Sequence, residues 1–454
     1  MTSAASTLPP LDFRTIDLRG HRLTPAGLKN AMPRAAGSAG SAEAAVQAII
    51  DEVRSGGLDA LRGFALRFDG VDRDHPRVPA DVIAAAADAL DDDVRSALQE
   101  AIRRARIFAE AQLPQPVVVE PAAGARLTQT WVPVDRVGLY VPGGLAVYPS
   151  SVVMNVVPAQ AAGVGSLALT SPPQQEHGGW PHPVILAAAS MLGITEVYAM
   201  GGAQAVAALA YGVADADAPE RGIDPVNVIT GPGNAFVATA KRLVRGRVGI
   251  DSEAGTTEIA VLADGTADAA LVAADLVSQA EHDPRAASVL VTDSEELADA
   301  VRAALRTGAA RTRHAERVLT ALSGPQSGVV MVDDIEAGIA VCDAYAAEHL
   351  EIQTRDARAV AGRIRNAGAI FIGPYSPVSL GDYCAGSNHV LPTGGTAAFA
   401  SGLNVTTFLR SVQLIDYDRA ALHEVSSSII ALAEAENLPA HGEAVTARFG
   451  THTR

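Results

Sequence analysis

A rhythm constrains this chain more than any single residue does. From about residue 136 to 250, short apolar runs closed by Gly or Pro alternate with helical stretches: "RVGLYVP", "SLALTSPP", "EVYAMGG" and "VNVITGPG". A second array follows over roughly 257–375, with "TEIAVLAD", "ASVLVTD", "SGVVMVDD", "LEIQT" and "AGAIFIG" as its strands. Continuous apolar strands joined through helices build a parallel sheet covered on both faces. Two such units are expected, and a chain of 454 residues exceeds one ordinary core.

The rest of the chain is read by contrast. Residues 1–40, with an early Pro pair and "RAAGSAGSA" late, read as an arm or linker, and Ser41 to about Gln112 carries apolar residues at helical spacing. "SLGDYCAGSNHVLPTGGTAAFASG" reads as a long loop, and the end, from about Asp416, as helix. Hydrophobic residues reach 48% while aromatics are only 4%, so close packing by small side chains is expected. A net charge of −16 argues against nucleic acid, whose phosphates need a basic surface. The N-terminus lacks a basic start followed by an apolar core, and no uncharged apolar run reaches roughly 18 residues. Neither a signal peptide nor a membrane span is therefore expected. Two cysteines, Cys342 and Cys384, fit a reducing cytoplasm more simply than one disulfide.

Several segments carry chemistry. "VNVITGPGNAFVATAKRLV", "LYVPGGLAVYPSS" and "YAMGGAQAVAALA" each run strand, Gly turn, helix, a build that offers backbone N–H groups to phosphate. None is a G-x-G-x-x-G, and no acidic residue is plainly placed for a ribose, so each alone reads equally as a tight turn. Three of them at the strand ends of one sheet point to a ligand crevice. "SQAEHDP" ends an apolar helix with Gln279 and His282, three apart and on one face. His is a common zinc ligand and Gln an uncommon one, and alone the stretch reads as a polar helix end. "GDYCAGSNHV" offers Asp382, Cys384 and His389, and "AEAENLPAHGEA" offers Glu434, Glu436 and His441. "AYAAEHLEI" puts Glu348 and His349 between a helix and a strand, where adjacent residues serve one substrate only at an element's end. Cys384 is chemically able to attack an aldehyde, though Cys in an Ala-Gly-Ser loop is ordinary small packing. These residues alone leave open an NAD enzyme, a zinc hydrolase using Glu348 or Glu281 as base, and a zinc-stabilised binding protein for amino-acid-like ligands.

In order along the chain, "GLYVPGG", "GPGNAFVATAKR", "IDSEAGTTEIAVLAD", "DLVSQAEHDP", "YAAEHLEI", "GDYCAGSNHVLPT" and "LAEAENLPAHGEAV" resemble the histidinol dehydrogenase family. The resemblance covers nearly the whole chain except the first ~30 residues and the last few. It implies oxidation of L-histidinol to L-histidine, the last two steps of histidine biosynthesis, in two NAD-dependent steps through an aldehyde, with one zinc per active site. Zinc would be held by Gln279, His282, Asp382 and His441 and would position substrate. His349 would take the hydroxyl proton and Glu348 would activate water. Thr257, Glu436, His349 and the zinc ligands match substrate-contacting positions, with His389 a further pocket residue. Tyr140, Gln204 and Asn234 match NAD positions.

The fold so implied is α/β: two incomplete Rossmann-like parallel-sheet domains, an N-terminal arm and a helical C-terminal dimerisation tail. Its boundaries would be 1–40 for the arm, 41–135 with 257–388 for the first domain, 136–256 for an inserted nucleotide domain and 389–454 for the tail. The partner would be a second copy, with the tail crossing so that each site takes Glu436 and His441 from the other chain. "AGTTE" stands where a Pro-Ser pair is common, and Thr257 keeps a hydroxyl there. Cys384 lies outside the family's catalytic set.

Overall fold

A computed structural model describes residues 10–34, 39–143, 147–215, 218–253 and 255–450. Parts of the expected arm, Gly144 of the first Gly turn and Ala254 of "AGTTE" lie outside the described residues. In chain order the strands are β1 (Thr15–Asp17), β2 (Val117–Ala122), β3 (Ala125–Pro133), β4 (Arg136–Tyr140), β5 (Ser166–Ser171), β6 (Val197–Ala199) and β7 (Val228–Thr230). They continue as β8 (Gly249–Ile250), β9 (Glu258–Ala263), β10 (Ala287–Thr292), β11 (Gly328–Met331), β12 (His349–Gln353), β13 (Ala369–Ile372) and β14 (Leu409–Tyr417).

The two expected parallel sheets are present. One runs β6-β5-β4-β7-β8, the other β1-β11-β10-β9-β12-β13. Side-chain alternation decides what each face covers. In β4, Val137 and Leu139 join the core beneath helices Pro149–Ala161 and Pro183–Met191. Tyr140 joins the opposite core with helices Gly202–Tyr211 and Ala235–Val244. Gly138 is required on that second face, because a Cβ there would lie 2.8 Å from Leu209 Cδ1. In the second sheet Ile259 and Val261 face helices Ala269–Ala280 and Glu295–Arg311, while Ala260 and Leu262 face helix Ile335–Tyr345.

Three expectations need correction. The N-terminal segment is not wholly an irregular arm: β1 extends the second sheet beside β11, and helix Pro25–Ala31 packs on helix Ile335–Tyr345. The helical region does not share the second array's core. Helices Ala39–Phe64, Ala80–Asp88 and Asp92–Ala111 pack over the first sheet's own helices, and their buried residues belong to its two cores. An amphipathic face announces that it will be covered without naming its partner. The expected tail helix does not begin at Asp416: residues 409–417, most of which had no assignment from the sequence, form β14, which pairs antiparallel with β3 in a third sheet, β14-β3-β2. The tail then ends in two helices packed on each other, Arg419–Ala435 and Pro439–Thr446.

One buried ion pair shapes the third Gly turn. Lys241 and Asp251 face each other with side chains 2% and 1% exposed. Lys241 Nζ also donates to the Gly231 carbonyl at 2.9 Å, and Gly231 N–H donates to Asp251 Oδ2 at 2.7 Å. Gly231 has φ +113°, and a Cβ there would collide with the Tyr140 carbonyl oxygen. Removing one partner of a buried pair leaves an uncompensated charge. Lys241→Met is therefore expected to cost about 3–5 kcal/mol in urea unfolding; a loss under about 1 kcal/mol, the size for an exposed pair, contradicts this account.

Candidate active site

The parallel pairing of β9 with β12 sets His349 opposite Ile259. Residues 257–258 thus lie beside residues 348–349 at the amino edge of the second sheet. Helix Ile335–Tyr345 ends at Ala346, which takes a left-handed conformation (φ 49°) and turns the chain into β12. Glu348 and His349 therefore sit at an element's end. The backbone of Glu258 holds both: its N–H donates to Glu348 Oε2 at 2.9 Å, and its carbonyl lies 3.2 Å from His349 Nδ1. Thr257 Oγ1 donates to the same Glu348 oxygen at 2.5 Å and accepts from Gln279 Nε2 at 2.6 Å.

Burial tunes these groups in opposite directions. It pushes the Glu348 carboxyl up to about 7, against the donors Thr257 and Glu258 that favour the anion. It holds the His349 imidazole down at about 4, so the ring is neutral near pH 7. With Nδ1–H assigned to the Glu258 carbonyl, Nε2 is left as the basic nitrogen. A neutral imidazole and an ionisable carboxyl side by side can serve as two proton acceptors.

The metal-capable residues come from two helix ends. Gln279 lies in the last turn of helix Ala269–Ala280, and His282 follows just after Glu281, which caps it. Asp382 was expected in a loop, but it occupies the last turn of a short helix, Val378–Tyr383. His282 Nε2 lies 3.9 Å from Asp382 Oδ2, and Tyr148 stacks on the His282 ring at 6.4 Å between centroids. Gln279 Oε1 is buried with no hydrogen-bond partner. A buried acceptor left so costs about 1–3 kcal/mol, which a ligand would relieve. Among the described residues no group of three His, Cys, Asp or Glu side chains is gathered as a metal site. This chain supplies two residues of those types, plus the amide. Glu436, which caps helix Arg419–Ala435, and His441, in helix Pro439–Thr446, are both exposed on the tail hairpin and are not gathered with the others.

The carboxyl edge of the first sheet carries the other set. Tyr140 ends β4, Gln204 lies in the first turn after β6, and Asn234 caps helix Ala235–Val244 after β7. Strand order reverses between β4 and β7, where α/β sheets open a ligand crevice. Tyr140 Oη accepts from Gly202 N–H at 3.1 Å, which ties two of the Gly turns together.

Hydrogen bonds join the two edges. Thr230, the last residue of β7, donates to Asn155 Oδ1 at 2.7 Å, and Asn155 Nδ2 donates to the Ser151 carbonyl at 2.7 Å. Ser151 Oγ lies 3.2 Å from His389 Nε2, and His389 Nδ1 lies 3.0 Å from the Asp382 carbonyl. Both ring nitrogens of His389 are engaged, and burial holds it at about 4. Ser151 and Asn155 were not singled out in the sequence. The available signal was a Ser and an Asn four residues apart in a mostly apolar helix.

Comparison with known proteins gives the family. The model of the histidinol dehydrogenase family matches residues 32–449. The chain belongs to the histidinol dehydrogenase family. The Nocardia farcinica histidinol dehydrogenase is 60% identical over 439 residues, 97% of this chain and 98% of that protein. The Mycobacterium tuberculosis histidinol dehydrogenase is 58% identical over 443 residues, 98% and 99% of the two chains. A crystal structure of histidinol dehydrogenase from Elizabethkingia anophelis superposes with a TM-score of 0.90 at 30% identity, over 97% of this chain and 99% of that one. Membership makes the protein an oxidoreductase of histidine biosynthesis acting on histidinol. None of the described helices is long and apolar enough to cross a membrane.

The Thr257 hydroxyl favours the Glu348 anion. Thr257→Val should therefore raise the Glu348 titration above about 7, read by 13C NMR of its carboxyl with Glu348→Gln as the blank. A titration that stays in place contradicts the described hydrogen bond.

Proposed function

We propose that this family member oxidises L-histidinol to L-histidine in two NAD-dependent steps, with zinc positioning the substrate. The observation that carries the reading is the pair Glu348–His349 gathered with Thr257 and Gln279 at one sheet edge. Gln279, His282 and Asp382 suit a metal: the Gln279 carbonyl oxygen is buried without a partner, and an imidazole and a carboxylate stand near each other. Bound there, zinc would supply an electrophilic template that fixes substrate nitrogens. NAD, held at Tyr140, Gln204 and Asn234, would supply the hydride acceptor.

The chain's own residues manage protons. Neutral His349 accepts the hydroxyl proton of histidinol as the alcohol carbon loses hydride, giving histidinaldehyde. Glu348, as carboxylate, accepts a proton from the water that adds to the aldehyde. Protonated His349 returns its proton to the aldehyde oxygen, which completes the hydrate. Neutral His349 then accepts a hydrate hydroxyl proton as the second hydride leaves for NAD, and the acid so formed ionises to the carboxylate of histidine. Thr257 keeps Glu348 in place, and Glu436 completes the substrate pocket. Two unpaired cysteines and the biosynthetic role favour a cytoplasmic location. The test is NADH formation at 340 nm with histidinol, before and after exhaustive chelation. Activity should vanish with the metal and return with zinc; undiminished turnover by metal-free His282→Ala would end the zinc reading.

The reading includes a homodimer with shared sites, in which Glu436 and His441 come from the second copy. The tail supports it: both residues are exposed, as are Leu414 (53%), Ile415 (71%) and Leu432 (64%) on the same segment. Refolding His349→Ala together with His441→Ala should restore activity, up to about half the wild-type level per mixed dimer. In a mixed dimer one site takes both defects and the other neither, whereas sites built within one chain would each keep a defect. No recovery in mixed dimers would refute the sharing.

A further inference from the structure

The two bases are braced by a residue from the far end of the chain. Arg34 follows helix Pro25–Ala31 and the buried Met32, which joins the second sheet's core. Its guanidinium lies over the Tyr345 ring, 4.1 Å from the centroid. Nη1 reaches both oxygens of Glu258, at 3.1 and 3.3 Å, with the two side chains 19% and 5% exposed. Glu258 also accepts the Gly394 N–H at 3.0 Å. The Glu258 backbone, as described, holds Glu348 through its N–H and His349 through its carbonyl. One residue therefore grips both bases with its main chain and is itself gripped by Arg34 and the 393–395 loop through its side chain.

We propose that Arg34 and Glu258 are positioning residues for catalysis, an ion pair through which the N-terminal segment fixes the placement of Glu348 and His349. Neither side chain belongs to the residues assigned above to substrate or cofactor, and the pair acts through the first residue of β9. Charge is needed as well as shape. Burial pushes Glu258 up to about 7 even with the Arg34 charge opposing it, and the neighbouring Glu348 pushes the same way. Without the cation Glu258 would take up a proton, its hold on the Gly394 N–H would weaken, and the start of β9 would lose its anchor. An ordinary role, tying the segment to the sheet, would change stability alone. Positional error at reacting groups instead lowers turnover, by up to about 100-fold per 1 Å.

The proposal rests on the roles given above to Glu348 and His349, so its test has one readout that does not need turnover. Arg34→Met, Arg34→Lys and Glu258→Gln are compared with the wild-type full-length enzyme. Arg34→Met should lower kcat with histidinol by about 10- to 100-fold with KM little changed, and Arg34→Lys should recover most of the loss. In 15N NMR, with His349→Gln assigning the resonance, the His349 ring should be the Nδ1–H tautomer in wild type and a tautomer mixture in Arg34→Met and Glu258→Gln. Wild-type failure to oxidise histidinol would count against the proposed function, while the tautomer shift would still decide the brace. If Arg34→Met fails to fold, the Arg34→Lys and Glu258→Gln results decide it. A lower melting temperature with unchanged kcat and an unchanged His349 tautomer overturns the proposal, as does a loss confined to KM.

Discussion

The site depends on one strand pairing. β9 and β12 lie side by side and parallel, with His349 set against Ile259. A one-residue slip of β12 would turn every side chain to the other face. It would also separate Glu348 from the Glu258 N–H and His349 from the Glu258 carbonyl. Register is held by burial on both faces, since Leu350 and Ile352 enter one core while Ile259 and Val261 enter the other. Packing thus enforces a polar geometry that hydrogen bonds alone would not hold against water.

The two sheets contribute opposite edges. Tyr140 and Asn234 stand at the carboxyl edge of the first, where strand order reverses and ligand crevices commonly form. The base pair stands at the amino edge of the second. The second sheet's carboxyl edge is occupied by structure: Asp333 receives the Gly20 N–H, Asp334 and Ser294 cap helices, and Asp264 receives Arg355 and Thr266. The Thr230–Asn155–Ser151–His389–Asp382 chain of polar contacts joins the two working edges.

Legibility followed burial. The strands of the two parallel sheets were readable as short apolar runs separated by helical stretches, those of the first sheet also closed by Gly or Pro, except the two-residue β8 and the short edge strand β1. The β2–β3–β14 sheet was missed because its outer strands bury almost nothing within this chain: β2 and β14 are nearly all exposed, and β3 between them is mostly half-buried, so no clean alternation marks them. Gln279, His282, Glu348 and His349 were visible as chemistry at element ends, and Asp382 was found by resemblance though misread as loop. Glu258 and Arg34 were invisible. A Glu opening an apolar strand and an Arg in an irregular segment acquire meaning only when the fold sets them 3.1 Å apart across 224 positions of sequence.

The docking of β1 beside β11 has a consequence for how the molecule comes together. Thr15 pairs with Val329, so the first strand in the chain lines up with a partner made more than three hundred residues later. Closing so long a loop costs entropy before any contact repays it, and such non-local pairings slow folding. On a ribosome the amino-terminal segment emerges first and must wait for most of the chain. The first sheet and its helices draw on residues 42–250, together with a short stretch near residue 400 in one of its two cores, and can largely assemble in the meantime. The beginning of the chain is thus among the last parts to find its place.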